Sequence, residues 1–343
     1  MKVEGFINGQ AVGSIAQRLM ANGMKVNGLR THATLLKDEW KQVDGAVIKA
    51  AQQRLVGIAD LKRRGLVYSF PGGLGKTVLQ YQDMGNVTGA QINMTGTTRG
   101  NNDRPEFDLK YFPLPIISAD FQLSTRELEA SRNGSMPLDV TMPEMKARAI
   151  AEMQEEILFQ GGNAFAFGGG VLYGYVDAPN RNLGTLCGAW DASGVTGEDI
   201  VADVLRMKQA SIADRQYGPW VLYIPQAYET KMDEDYNAVG TSGNAKTIRE
   251  RLLAIQGIEE VKVSDKLIAI GGKENVLLVQ MRQETARMVT GLPLTTVEWN
   301  EMGGLVFNFK IMTIDVPQIR ADQDGRSGII HFQEPDGLGG LVM

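Results

Sequence analysis

Cysteine and histidine are almost missing from this 343-residue chain: Cys187 is the single cysteine, and His32 and His331 are the only histidines. One cysteine excludes an internal disulfide framework and a cysteine-rich metal site, and it fits a reducing cytoplasm. Two histidines leave little material for imidazole catalysis or a multi-histidine metal centre. No apolar run approaches the roughly 20 residues of a membrane span, and Met1-Lys2-Val3-Glu4-Gly5 lacks the apolar core of a signal peptide. Basic charge is not in excess either, since 35 Lys and Arg face 40 Asp and Glu for a formal charge of −5. That balance argues against a surface that grips nucleic acid throughout, because phosphate binding needs concentrated cations. Glycine, at 40 residues, and methionine, at 16, are plentiful; they imply many turns and adaptable packing surfaces. The length exceeds a single core, so two lobes or a body with long extensions are expected.

The clearest element is a helix over Thr141–Gln160. Thr141 and Glu144 form a capping box, Pro143 sits in the first turn where its missing N–H costs nothing, and Gly161-Gly162 stops the helix. Met142, Met145, Ala149, Met153 and Ile157 make one apolar stripe, predicted to be the packed face. Lys146, Arg148, Glu152, Gln154 and Glu155 occupy the other faces. At about 1.5 Å per residue the helix is roughly 30 Å long, enough to carry separate parts.

Before this helix, residues 1–36 read as an arm. Residues 37–64 read as an amphipathic helix carrying Trp40, Val43, Val47, Ala50, Ala51, Leu55, Ile58 and Leu61 at helical spacing. Residues 65–118 hold strand-like runs at 66–70, 78–81, 90–94 and 107–112 between Gly, Asn, Asp and Pro clusters, with few apolar residues. They predict a long hairpin with its tip at 86–105. After the helix, a Gly-rich link leads to a lobe of alternating helices (198–214, 226–235, 245–255) and strands (219–225, 261–263, 267–270, 276–280). Long strands at 287–297 and 305–315 follow, and Pro317 begins a tail.

Candidate chemistry is thin. Pro71-Gly72-Gly73-Leu74-Gly75-Lys76-Thr77 ends like a phosphate-binding loop, but Phe70 stands where the first glycine belongs, and a strand-like run follows instead of a helix. Glu152, Glu155 and Glu156 lack a partner carboxylate from another segment, so they read as a solvated face or as intersubunit salt bridges. Asp322-Gln323-Asp324-Gly325 opens like a calcium loop without its later acids. Asp233-Glu234-Asp235 reads as an exposed charge run, and Cys187 as a small buried residue. No catalytic residue, cofactor or metal is assigned.

The order of elements resembles a known family. It runs from the hairpin to Leu114-Pro115-Ile116-Ile117, then Phe121-Gln122-Leu123-Ser124-Thr125-Arg126-Glu127-Leu128, Asn133-Gly134, Leu138-Asp139 and the helix ending Ile157-Leu158-Phe159-Gln160-Gly161. Gly218-Pro219-Trp220-Val221-Leu222-Tyr223-Ile224-Pro225 and Val316-Pro317-Gln318-Ile319 continue it. This resembles the HK97-fold shell proteins, the major capsid proteins of tailed bacteriophages and their relatives the encapsulins.

The resemblance implies an α+β fold: an N-terminal arm (1–36), an N-terminal helix (37–64), an extended loop (65–118) and a peripheral domain with its spine helix (119–164). An α/β axial domain (165–296), return strands (297–320) and a C-terminal tail (321–343) complete it. It further implies a major capsid protein, not an enzyme, assembling in the bacterial host cytoplasm into a virion capsid of pentamers and hexamers. That shell would enclose double-stranded DNA without sequence-specific binding, with a portal, scaffold or decoration protein as further partners. Candidate intersubunit contacts are Tyr81, Ile92, Met94, Arg99, Arg104 and Phe107 in the hairpin, and Glu152 and Glu155 on the spine. Encapsulins often carry an acidic pair where Gln154-Glu155 stands here. This departure and the string from Glu284 to Leu294 favour a phage capsid, with an encapsulin nanocompartment as the alternative and a small-molecule enzyme as a distant one.

Overall fold

The protein, seen in a computed structural model, is described for Phe6–Ile7, Gln10–Ala11 and residues 56–84, 94, 107–126, 141–161, 165–236, 246–267, 270, 272–301, 305–322 and 324–335. In chain order the strands and helices are β1 (Phe6–Ile7), β2 (Gln10–Ala11), α1 (Gly57–Arg63), β3 (Val67–Ser69), β4 (Val78–Met84), β5 (Phe107–Pro113), β6 (Ile117–Ser124) and α2 (Thr141–Gln160). They continue as β7 (Ala166–Phe167), β8 (Gly170–Val171), β9 (Asn182–Thr185), α3 (Gly197–Ala213), β10 (Trp220–Ile224), α4 (Glu229–Met232), α5 (Ile248–Leu253) and β11 (Ile258–Val263). Last come β12 (Asn275–Gln280), β13 (Ala286–Glu301), β14 (Val306–Ile319) and β15 (Ile329–Gln333). They fall into two compact units. The first comprises Met1–Thr77, Leu114–Leu158 and Arg287–Pro317; the second comprises Val78–Pro113, Phe159–Ala286 and Gln318–Met343.

The first unit is a four-stranded sheet in the order β3-β13-β14-β6 with α1 and the spine helix α2. Alternation along β14 buries Phe307, Phe309 and Ile311, and Phe309 stacks on Phe121 of the antiparallel neighbour β6 with ring centroids 4.9 Å apart. Gly73, in the turn that resembled a phosphate loop, lies so close to β13 that an added Cβ would sit 2.4 Å from the Gly291 carbonyl carbon. The chain then enters strand β4, so this turn packs backbone on backbone and opens no helix.

The spine helix has the predicted bounds but not the predicted packed face. Met142, Met145 and Met153 are 42%, 58% and 48% exposed, whereas Ala147, Ile150, Ala151, Gln154, Glu155, Ile157 and Leu158 are buried. The burial stripe is rotated away from the methionines, because two polar residues in the last turns find partners inside and release the methionine ridge outward.

The second unit is built on a mixed sheet in the order β11-β10-β12-β15-β9. Its interior strands β10 and β12 are buried at every residue, which strands covered on both faces and paired on both edges require. Trp220 anchors β10: its indole N–H donates to Ser211 Oγ at 2.9 Å. Gly257, at φ +93°, lies where a Cβ would come within 2.6 Å of the ring. Helix α3 is closed at its start by a capping box between Thr196 and Asp199. Its apolar residues Ile200, Val204 and Met207 join Leu222, Leu252, Val276, Leu278 and Ile330 in one core.

Two expectations are corrected here. The run predicted as a strand at 267–270 begins as a 3-10 turn over Asp265–Leu267. The chain does not leave the body at Pro317 as a tail: β14 continues to Ile319, and β15 inserts between β12 and β9. Four of the five β15 residues are buried, which placed alone at the end of a Gly-rich sequence they gave no sign of needing.

At the C-terminus of α3 the Gln216 N–H bonds the Ser211 carbonyl and the Arg215 N–H bonds the Ile212 carbonyl, both at 2.9 Å. This Schellman arrangement places Arg215 at φ +61°, a position that favours glycine. Arg215→Gly is therefore expected to stabilise the protein by about 1 kcal/mol, visible as a rise of a few degrees in thermal midpoint.

Candidate functional site

The most reactive of the described side chains are held by neighbouring groups. His331 on β15 is fully buried. Arg181 Nε donates to its Nδ1 at 3.1 Å, and its Nε2 faces Asn275 Oδ1 at 2.7 Å. Those bonds assign a neutral ring with the proton on Nε2, and burial together with the Arg181 cation holds its pKa down to about 4. Cys187 is exposed, contrary to the expectation of burial. Partial desolvation and the neighbouring Asp203 carboxylate push its thiol up to about 12, so it stays protonated and is a poor nucleophile. Asp203 itself is engaged by the Cys187 N–H, the Trp190 indole and Arg206.

The acidic runs are spent on neighbours. Asp233 pairs with Arg249 at 3.1 Å, Glu234 with Lys231 at 2.7 Å, and Asp324 with Arg326 at 3.3 Å. Among the described residues no three His, Cys, Asp or Glu side chains gather as a metal would require.

The hairpin is where contact surface accumulates. β4 and β5 pair antiparallel from Val78 with Pro113 to Met84 with Phe107, and no third strand joins them among the described residues. Over these residues the ribbon is two-stranded, with Gly170 of β8 close against the Tyr111 carbonyl of β5. Tyr81 lies opposite Lys110, half-buried, with the Arg320 guanidinium 5.6 Å from its ring centroid. Phe107 sits at the last described rung, and Met94 is 99% exposed. Ile92, Arg99 and Arg104 lie outside the described residues.

Sequence reasoning missed the aromatic groove at the hairpin base. Tyr81, Leu109, Tyr111 and Tyr173 line a cavity of about 260 Å³, with Phe165 and Phe167 exposed in the same unit. The signal was present as alternation, Leu109 with Tyr111 and Phe165 with Phe167, in stretches too short to be read as surfaces.

On the spine, Glu152 is partly exposed, and its place as a contact remains a proposal. Glu155 is corrected: it is 4% exposed and accepts the Gly57 N–H at 2.8 Å and the Ile58 N–H at 3.4 Å. It therefore faces neither solvent nor a neighbouring subunit, because the first turn of α1 covers it. Burial raises its pKa to about 7 from 4.5, only partly offset by those N–H groups, with Asp60 adding a further upward push. Next to it, Gln154 Nε2 donates to the Asp315 carbonyl at 3.1 Å.

A spine helix beside a four-stranded sheet, a mixed α/β unit and an open two-stranded hairpin together make an HK97-like shell-protein fold. The chain belongs to the family of unknown function DUF6260, whose model matches residues 27–332. Solved structures share the fold. The virus-like particle from Pyrococcus furiosus matches at a TM-score of 0.62 and 14% identity over 87% of this chain and 100% of that one. The capsid of Myoviridae phage XM1 matches at 0.63 and 12% over 82% and 94%. In sequence, the chain is 25% identical to the type 1 encapsulin shell protein EncA of Myxococcus xanthus over 71% of this chain and 79% of that protein. It is 23% identical to a diheme-cytochrome-encapsulin shell fusion protein of Kuenenia stuttgartiensis over 66% of this chain and 54% of that one.

The raised pKa of Glu155 makes stability depend on pH. The folded state holds this proton more tightly than the unfolded chain, so the stabilisation is fully present below about 4.5 and is lost as pH rises through about 7. Glu155→Gln, which imitates the protonated acid, should gain up to about 3 kcal/mol over the native protein at pH 8 and little at pH 4.5. Glu155→Ala should lose about 1–3 kcal/mol at pH 4.5, because the buried Gly57 N–H loses its acceptor, and the deficit should shrink or vanish at pH 8, where the native acid is itself destabilising. Urea midpoints at the two pH values check both.

Proposed function

We propose that this chain is the major capsid protein of a tailed bacteriophage, a structural subunit that closes into an icosahedral shell of pentamers and hexamers around double-stranded DNA. The observation that carries the shell reading is the β4–β5 hairpin, a two-stranded ribbon with no third strand among the described residues, set in a capsid fold. A closed shell needs each copy to offer a surface that another copy completes, and a projecting two-stranded ribbon is such a surface. The formal charge of −5 suits a container for DNA: packaged DNA carries its own counterions, and a strongly basic wall would trap it.

Gln154 favours the phage reading. Its side chain donates to the Asp315 carbonyl, a bond that an ionised acid at that position could not make. The 25% identity to an encapsulin shell protein supports the second reading, a nanocompartment shell that encloses an enzyme cargo. Both are containers made of many copies.

Electron microscopy of the purified chain is expected to show regular hollow particles, and a chain that stays monomeric at high concentration would defeat the shell reading. Deleting residues 87–102 is expected to leave the far-UV circular dichroism melt nearly unchanged and to abolish particles. Terminase and portal genes beside this gene would favour the phage assignment, and a peroxidase or ferritin-like neighbour the compartment.

A further inference from the structure

A cavity of about 280 Å³ opens in the second unit where three connections meet: the one after α3, the turn from β12 to β13 and the loop from β14 to β15. Its walls carry Gln216, Glu284, Thr285, Arg320, Asp322 and Arg326, and no lining side chain is apolar beyond Ala321. At roughly 30 Å³ per water in the liquid, the space holds several waters, more than a bare oxyanion displaces. Backbone bonds fix the walls. The Arg320 N–H donates to the Thr285 carbonyl at 2.8 Å, and the Asp322 N–H to the Arg326 carbonyl at 3.0 Å. Thr285 is buried, and its hydroxyl donates to Gln280 Oε1 at 3.0 Å, which leaves its oxygen as an acceptor.

The Arg320 guanidinium is the group left over. Its Nε is buried without a hydrogen-bond partner, and among the described residues no carboxylate pairs with it. Its contact is the Tyr81 ring, 5.6 Å away at the centroid, which attracts the charge but leaves the planar fork of N–H donors unmatched. Arg326 lines the same cavity and is steered by Asp324 at 3.3 Å. Two guanidinium groups in the wall of one polar space match an oxyanion, with which each fork makes paired hydrogen bonds. Phosphate suits two forks better than carboxylate, because it has more terminal oxygens to share between them. Glu284 and Asp322 repel such an anion and accept from hydroxyl groups instead. Beside Gln216 and Thr285 they form a wall for a polyol.

We infer that this cavity binds a small phosphorylated polyol of the sugar-phosphate class. Its phosphate lies on Arg320 and Arg326, and its hydroxyl groups lie on Gln216, Glu284, Thr285 and Asp322. Such a ligand ties the three connections together and stabilises the second unit. The inference does not depend on the shell reading, since it concerns one chain.

Ribose 5-phosphate is the probe, with thermal midpoints and titration calorimetry on the full chain as readouts. At about 100 times its Kd it is expected to raise the native midpoint by several degrees. Ribose should leave the midpoint unchanged, and inorganic phosphate should bind about tenfold more weakly for want of the hydroxyl contacts. Arg320→Met keeps a stem against Tyr81 and removes the charge. Its midpoint without ligand should match the native one, and its affinity for ribose 5-phosphate should fall at least about tenfold. Glu284→Gln should weaken ribose 5-phosphate and leave inorganic phosphate unchanged. If Arg320→Met does not fold, Arg326→Gln decides in its place, with the same loss expected. The inference is overturned by the absence of a saturable midpoint rise in the native chain, by an equal rise in the arginine variant, or by an equal rise with acetate. Tighter binding of a DNA duplex than of the sugar phosphate would also overturn it, in favour of a nucleic-acid contact.

Discussion

The first unit depends on a line of buried polar bonds that starts from the spine helix. Glu155 takes the first N–H groups of α1, Gln154 donates to the carbonyl of Asp315, and the Asp315 carboxylate accepts from Lys62 of α1 and Thr290 of β13. Two helices and two strands are thereby tied at fixed register through groups that cannot be left unpaired inside a core without a cost of about 1–3 kcal/mol each. Hydrophobic burial alone would let α2 slide or rotate over the sheet; the bonds do not. The same constraint explains the outward methionine ridge, since turning Gln154 and Glu155 inward turns Met142, Met145 and Met153 out.

The second unit reserves its polar groups for structure in the same way. Asp203 joins the Cys187 backbone, Trp190 and Arg206, and His331 is held between Arg181 and Asn275. Among the described residues, these groups are committed to partners within the unit. The hairpin differs from both cores. It is a ribbon of paired backbone with partly exposed aromatic side chains at its base.

Much of the element order was legible because it rested on local rules. The spine helix was read with its structural bounds from periodicity and from Gly161 at its end. β4, β5, β10, β12, β13 and β14 were each visible as apolar or alternating runs. The misses share a cause. Glu155 looked like a surface acid because sequence shows charge but not the two backbone N–H groups of a helix 97 and 98 residues away. Residues 329–333 looked like part of a tail because their partner strands, 275–280 and 182–185, lie far along the chain. The groove escaped notice because its walls come from four separate short stretches.

By itself, then, the sequence determined the order of elements: its spine helix, its hairpin strands and its alternating lobe follow from local composition and periodicity, which neighbouring residues impose on one another. Only the tertiary structure decided which face of the spine is inside, which acid is buried, where the last strand pairs and where an aromatic groove opens. Those depend on groups brought together from distant segments, and a buried hydrogen bond or a shared cavity exists only once both sides are in place.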